Sequence, residues 1–210
     1  MTRQQSSLGG GLILAAGRGN RYGSDKRRAI LEGSDRTMLE RTLAVWQQAT
    51  AGRLRVVLRG EEETGERAFA ASLRQRFPHL AMTFATRCRN GMGASLAAGI
   101  RDCNDWDYVL IGLGDMPYLQ PSTLRWLLAV LRREIKAVGP DCIVRPVYQG
   151  RPGHPVGFGR GHFAALSRLD GDVGARAIIE TAPGVIDLPC ADPGTQQDVD
   201  TPARRSADRS

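Results

Sequence analysis

Gly11-Leu12-Ile13-Leu14-Ala15-Ala16-Gly17-Arg18-Gly19-Asn20-Arg21-Tyr22-Gly23-Ser24-Asp25-Lys26 is the stretch whose reading decides the fold. It opens as a short apolar run, which suits a buried strand. It then breaks into small residues, glycines and fixed positive charge. Small residues let a backbone approach a ligand closely, and glycine tolerates the tight turn that exposes N–H groups. A strand, a glycine loop and basic residues in that order can hold several negative charges, such as the phosphates of a nucleotide. The plainer alternative is a surface turn with solvated basic side chains. Two common phosphate fingerprints fail. In G-x-G-x-x-G the third glycine comes one residue late, at Gly23. In the Walker A loop the lysine follows glycine, whereas Lys26 follows Asp25 and precedes Arg27.

Outward from this loop, strands and helices alternate. Strand patterns fall at 54–58, 81–85, 108–113, 142–147 and 185–188, and 108–113 is the clearest. Helical patterns fall at 37–48, 64–77, 121–134, 163–169 and 174–181, with Pro121 placed as a first-turn residue. Asn90-Gly91-Met92-Gly93-Ala94-Ser95 reads as a second glycine loop opening into a helix. The alternation predicts an α/β fold: a mostly parallel sheet with helices on both faces. In such sheets ligands sit beyond the carboxyl ends of the strands. The Gly17 loop, the Gly91 loop and the Gly114-Asp115 turn can meet there.

The chain has 210 residues, 41% hydrophobic and 24% charged, which suits one soluble globular domain. We expect that domain over 11–202, with flexible tails at 1–10 and 203–210. The net charge is +7, but aromatics are only 6% and the basic residues are spread along the chain. That pattern argues against a nucleic-acid platform and for an anionic small molecule. Cys88, Cys103, Cys142 and Cys190 show no zinc spacing, and their scatter suits reduced thiols in the cytoplasm. No signal peptide or bilayer-spanning run is evident, so no membrane partner is expected.

Asp115 directly follows the strongest apolar strand. A carboxylate there, beside a phosphate loop, is a natural Mg²⁺ ligand, because Mg²⁺ takes one or two carboxylates plus phosphate oxygens and water. A turn residue capping its own backbone is the alternative. Asp198 and Asp200 share a face if extended, or form a turn before Pro202.

These residues resemble a known family. Leu14-Ala15-Ala16-Gly17-Arg18-Gly19-Asn20-Arg21-Tyr22-Gly23, then Lys26, is similar to the L-A-A-G-x-[SG]-x-R-M-G…K signature of nucleotidyltransferases. More narrowly, the chain resembles the MobA-like and MocA-like enzymes that attach a nucleotide to molybdopterin. Asn90–Leu96, Gly114-Asp115-Met116-Pro117, Gly153-His154-Pro155-Val156-Gly157-Phe158, Gly171-Asp172-Val173-Gly174-Ala175-Arg176 and Asp198-Val199-Asp200-Thr201-Pro202 extend the likeness in the family's order. The resemblance implies a Rossmann-like three-layer sandwich of the nucleotide-diphospho-sugar transferase type.

It also implies roles. Leu14, Ala15, Ala16, Gly17, Arg18 and Gly19 would cradle the nucleotide, with Gly91 and Ser95 helping to hold nucleoside or base. Arg21, Lys26 and Asp115 would be catalytic, and Asp115 and Asp200 would bind Mg²⁺. His154, Asp172 and Arg176 would border the acceptor, although a locally bonded turn histidine is an equal reading of His154. The implied reaction moves CMP from CTP to the phosphate of molybdopterin and releases pyrophosphate, with transient contact to a client molybdoenzyme. Ala15-Ala16 resembles cytidine-using members, whereas guanosine users tend toward L-A-G-G. Guanylyl transfer, sugar- or polyol-phosphate acceptors, and a non-catalytic maturation factor that binds the molybdenum cofactor remain alternatives. An NAD(P) oxidoreductase is disfavoured by the glycine spacing. Two departures stand out. Tyr22 replaces a methionine, and Arg27-Arg28 replace leucines, which predicts an altered acceptor surface beside Lys26.

Overall fold

The computed structural model describes residues 8–17, 25–31 and 33–198. Strand β1 (Gly9–Leu14) lies mid-sheet, flanked by β2 (Leu54–Arg59) and β4 (Tyr108–Leu113), both parallel to it. Strand β3 (Ala81–Ala85) adds in parallel to β2. Beyond β4 the direction reverses. Strand β7 (Val156–Gly159) is antiparallel to β4 and to β5 (Ile143–Tyr148). Strand β5 also carries the two-residue β6 (Arg151–Pro152) and the parallel β8 (Val185–Pro189). The order is β3-β2-β1-β4-β7-β5-β6, so the sheet is mixed but mostly parallel.

Consecutive residues along the central strands point to opposite faces. Ile13, Val56, Leu110 and Val144 join one apolar core with helices α1 (Met38–Gln47), α2 (Glu66–Arg76) and α4 (Pro121–Val138). Leu12, Val57, Val109 and Ile143 join the other with α3 (Met92–Arg101) and α5 (Phe163–Leu166). Helix α6 (Arg176–Thr181) adds partly buried Ile178 and Ile179 to this second core. The three layers expected from the alternation are therefore present. Trp46 of α1 packs tightly on the sheet. Its indole fills the room left by Gly11 and Gly112 on adjacent strands, where any Cβ would strike the ring.

Helix boundaries follow local chemistry. A Thr37–Glu40 capping box opens α1. Gly65, at φ +74°, delays α2 to Glu66, two residues after the expected start. Helix α4 runs four residues past its expected end and stops before Gly139, at φ +102°. At the N-terminus, β1 begins at Gly9, and Leu8 N–H donates to Asp107 Oδ2 at 2.8 Å. The ordered domain thus starts before the expected boundary at Gly11, because strand pairing with β4 extends to Gly9. Residues 1–7 and the expected C-terminal tail lie outside the described residues. Among the described residues no helix is long and apolar enough to cross a membrane.

This topology places a site. From β1 the chain moves to β2 on one side, and from β3 it returns to β4 on the other. The carboxyl ends of β1 and β4 are therefore a switch point, where α/β sheets leave a crevice. Because β7 is antiparallel, it starts at that same edge, with Val156 opposite Ile111. His154 therefore arrives beside the turn after β4. The segment after β8 crosses back over the edge: Cys190 N–H donates to Val147 O at 2.9 Å and His154 N–H to Thr195 O at 2.8 Å.

Candidate active site

The turn after β4 packs directly on the loop after β1. Gly114 N–H donates to Leu14 O at 2.9 Å, and a Cβ on Gly114 would lie 3.0 Å from the Ala15 methyl. Glycine is needed there for closeness. The next residue, Asp115, receives Lys26 Nζ on Oδ2 at 2.9 Å. Lys26 heads a single 3₁₀ turn, Lys26–Arg28, capped by the Asp25 side chain. The two charged residues, 89 positions apart in sequence, are thereby joined at the crevice.

Asp115 Oδ1 is shielded from solvent and has no hydrogen-bond partner among the described residues. A buried acceptor without a donor is costly, of order 1–3 kcal/mol, unless a ligand completes it. At the crevice, that oxygen suits a hard dication. Among the described residues no three His, Cys, Asp or Glu side chains cluster as a metal set. A donor set of one carboxylate completed by phosphate oxygens and water is the Mg²⁺ pattern. Asp198 is exposed on the returning segment. Asp200, Arg18, Gly19 and Arg21 lie outside the described residues.

His154 stands close enough to Asp115 to feel its charge. Burial lowers the imidazole pKa below the ordinary 6.5, and the Asp115 carboxylate opposes this without cancelling it. The ring is therefore held neutral, and its buried Nδ1 has no partner among the described residues.

The loop itself is gripped from behind. Ala15 and Ala16 are buried, while among the described residues a Cβ on Gly17 would meet nothing within 4 Å. Arg27 turns inward and donates to Ala15 O at 3.0 Å, to Glu66 Oε1 and Oε2 at 2.6 and 2.8 Å, and to Asp25. Arg59, at the carboxyl end of β2, donates to Gly17 O at 2.7 Å. Burial disfavours the Arg27 charge, but Glu66 and Asp25 outweigh that and raise its pKa further. Burial likewise pushes the Asp25 carboxyl up, but the Arg27 hydrogen bonds and the Arg27 and Arg59 charges hold it below its usual range.

This corrects the expectation for Arg27-Arg28. Arg27 adds nothing to the surface beside Lys26. Arg27 is buried, and Arg28 lies over the Phe69 ring at 4.6 Å while donating to Gly65 O. Both serve α2. The reason is reach: a guanidinium on the 3₁₀ turn spans to the first turn of α2, which a leucine does not.

The second glycine loop is also assembled, but elsewhere along the edge. Gly91, at φ +120°, sits so tightly on Gly171 and Asp172 that a Cβ would overlap them. Gly93 N–H donates to Gly171 O at 2.8 Å, and Asn90 and Arg87 both donate to Asp170. Asp172 thus lies beside Gly91. Ser95 is buried and its hydroxyl donates back to Gly91 O at 3.3 Å, so it holds the first turn of α3 and is not turned outward. Arg176 is exposed and paired with Glu180 at 2.7 Å on its own helix.

Three residues that hold this loop escape sequence reasoning. Glu66 reads as an ordinary acidic residue of a helix's first turn. Arg59 reads as a strand end. Arg27 carries the only signal, a charge where leucine is usual. All four cysteines are free, and burial pushes the Cys103 and Cys142 thiols up to about 12 and about 11, which leaves them poor nucleophiles.

Comparison with known proteins agrees with this layout. The MobA-like NTP transferase domain matches residues 11–185. A nicotine blue oxidoreductase from Paenarthrobacter nicotinovorans is 30% identical over 194 residues, 91% of each chain. A 2-C-methyl-D-erythritol 4-phosphate cytidylyltransferase from Neisseria meningitidis is 33% identical over 100 residues, 45% of this chain and 42% of that one. The crystal structure of Rv0371c from Mycobacterium tuberculosis superposes with a TM-score of 0.74 at 29% identity, over 96% of this chain and 95% of that one. The manganese complex of Rv0371c superposes at 0.67 and 26% identity, over 89% and 90% of the two chains. The fold is that of the nucleotide-diphospho-sugar transferases, as the resemblance implied.

Proposed function

The chain belongs to the MobA-like NTP transferase family, and from that premise we propose that it transfers CMP from CTP to the terminal phosphate of molybdopterin, releasing pyrophosphate. The observation that carries this reading is the Lys26–Asp115 pair at the carboxyl ends of β1 and β4, with Asp115 Oδ1 left without a donor. An acceptor phosphate oxygen attacks the α-phosphorus of CTP, the new P–O bond forms, and the bond to the β-phosphate breaks. The nucleophile is already anionic, so no general base is needed. The protein's task is alignment and charge stabilisation. The backbone of Ala15–Gly17, continued by Arg18 and Gly19, cradles the triphosphate. Lys26 and Arg21 neutralise charge on the transferring phosphoryl group and the leaving pyrophosphate. Asp115 and Asp200 would hold Mg²⁺, which reduces repulsion between two anionic reactants when bound. His154 borders the acceptor as a neutral hydrogen-bonding ring, with Asp172 and Arg176 further along the same edge.

Cytidine is supported by Ala15-Ala16 and by the likeness to a cytidylyltransferase over 100 residues. A dication is supported by the manganese complex of a relative, and we assign Mg²⁺. The unbridged cysteines fit a cytoplasmic enzyme that hands its product to a molybdoenzyme. The deciding experiment is a thermal-shift panel of CTP, GTP, ATP and UTP, each with and without Mg²⁺, followed by pyrophosphate release with molybdopterin. A CTP-selective, Mg²⁺-dependent shift with turnover is expected. A GTP-selective shift transfers the reading to guanylyl chemistry, and no shift with any nucleotide overturns it.

A second reading has one observation behind it: the relative covering 91% of the chain is named an oxidoreductase. In that reading the same loop holds the diphosphate of a nicotinamide dinucleotide, and the substrate is a compound such as nicotine blue. Oxidation or reduction of nicotine blue that depends on a nicotinamide dinucleotide, with no pyrophosphate release from any triphosphate, would select it.

A further inference from the structure

The phosphate loop is held by one buried network. Arg27 and Glu66 side chains are 7% and 1% exposed. The Arg27 guanidinium forks between both Glu66 oxygens and still reaches Ala15 O at 3.0 Å. Glu66 Oε1 also accepts Arg59 N–H at 3.0 Å, and the Arg59 guanidinium holds Gly17 O at 2.7 Å. Asp25 lies between the two guanidinium groups, 2.6 Å from Arg27 and 3.5 Å from Arg59. Arg28 adds a bond to Gly65 O at 2.8 Å, so the first turn of α2 is bound to the segment after the loop as well.

We propose that Arg27, Glu66 and Arg59 are positioning residues that lock the Ala15–Gly17 backbone in the orientation that receives a triphosphate, with α2 as the anchor. This rests on the reading of the loop as a phosphate site. The physical reason is electrostatic. A carbonyl oxygen facing a triphosphate repels it, and an N–H attracts it. Cations that draw the carbonyls of Ala15 and Gly17 to one side keep those oxygens off the phosphates. Binding then needs less ordering of the loop, and a pre-ordered site holds its ligand more tightly. Packing alone does not explain the network, because an apolar pair of similar volume generally serves stability as well as a buried ion pair does.

The test compares the full chain with Arg27→Leu/Glu66→Leu and with Arg27→Lys, which keeps the charge and loses the fork. Three quantities are read: the melting temperature without nucleotide, the Kd for CTP with Mg²⁺, and hydrogen exchange at Ala16 and Gly17. The double variant should melt near wild type yet bind CTP about tenfold more weakly, with loop amides exchanging about tenfold faster. Arg27→Lys should fall between. A folded double variant with wild-type affinity and wild-type exchange overturns the proposal. If the double variant does not fold, unchanged affinity and exchange in Arg27→Lys overturn it instead. If wild type binds no triphosphate, the nucleotide reading fails, while exchange still decides the clamp: unchanged loop protection in the variants sinks it.

Discussion

Two ion pairs on adjacent residues of one 3₁₀ turn behave differently. Arg27–Glu66 is closed: both partners are buried, and every Glu66 oxygen is occupied. Lys26–Asp115 is open: its side chains are 12% and 29% exposed, and Asp115 Oδ1 has no donor among the described residues. The first pair is complete without a ligand, so its work is to hold shape. The second leaves an acceptor unspent at a crevice, which is what a site needs when charge must arrive from outside. Neighbouring residues of the same charge type thus carry separate tasks, and burial of the partner decides which.

The sharpest way to break this contrast is to remove one side of the closed pair. Arg27→Leu strands the Glu66 carboxylate in the core and should cost about 3–5 kcal/mol of stability, measured by urea unfolding. A loss near zero would mean that the pair is not closed. On the open pair the expected damage moves from stability to rate. Lys26→Ala and Asp115→Ala should fold, yet lose about 2.7–4 kcal/mol of transition-state stabilisation, a hundred- to a thousandfold in pyrophosphate release. Wild-type turnover in either variant contradicts the proposed function.

Ligand should complete the open pair. CTP with Mg²⁺ at a hundredfold its Kd should stabilise the chain by about 2.7 kcal/mol. Asp115→Ala should abolish the Mg²⁺-dependent part of that gain, and calorimetry with and without a chelator checks it. His154 adds a pH signature. Its pKa is lowered on folding, so the unfolded chain protonates first as pH falls below 6.5. Stability from this group is complete above that value and declines below it until the folded pKa is passed, with a slope of at most about 1.4 kcal/mol per pH unit. His154→Gln should flatten that part of the unfolding profile, and an unchanged profile would remove the histidine from the account. The smallest effect is expected at Gly17. An added methyl meets no atom of the described residues, so Gly17→Ala should stabilise slightly, by about 0.4–1 kcal/mol. It should nonetheless weaken triphosphate binding, and equal CTP affinity would mean that the space belongs to solvent.

Much of this was legible in advance. The strand at Leu12–Leu14, the small residues after it and the carboxylate after 108–113 are local patterns, and local patterns survive folding when both faces of a strand are buried. Arg27 is not legible locally, because its loop neighbours suggest a surface residue whereas its deepest partner, Glu66, lies 39 positions away. Ser95 is locally ambiguous for a related reason: a hydroxyl at a loop–helix junction can face a ligand or bond back to its own turn, and here it donates to Gly91 O.

By itself the sequence determined the layer order, the glycine loop at the end of the first strand and the basic and acidic residue types at the crevice. These follow from periodicity and backbone sterics, which act over a few residues. Only the tertiary structure decided that β7 runs antiparallel and delivers His154 to Asp115, that Lys26 meets Asp115, and that Arg27 turns from the surface to Glu66. Those outcomes depend on which distant charge can share a desolvated position, and no local pattern encodes that choice.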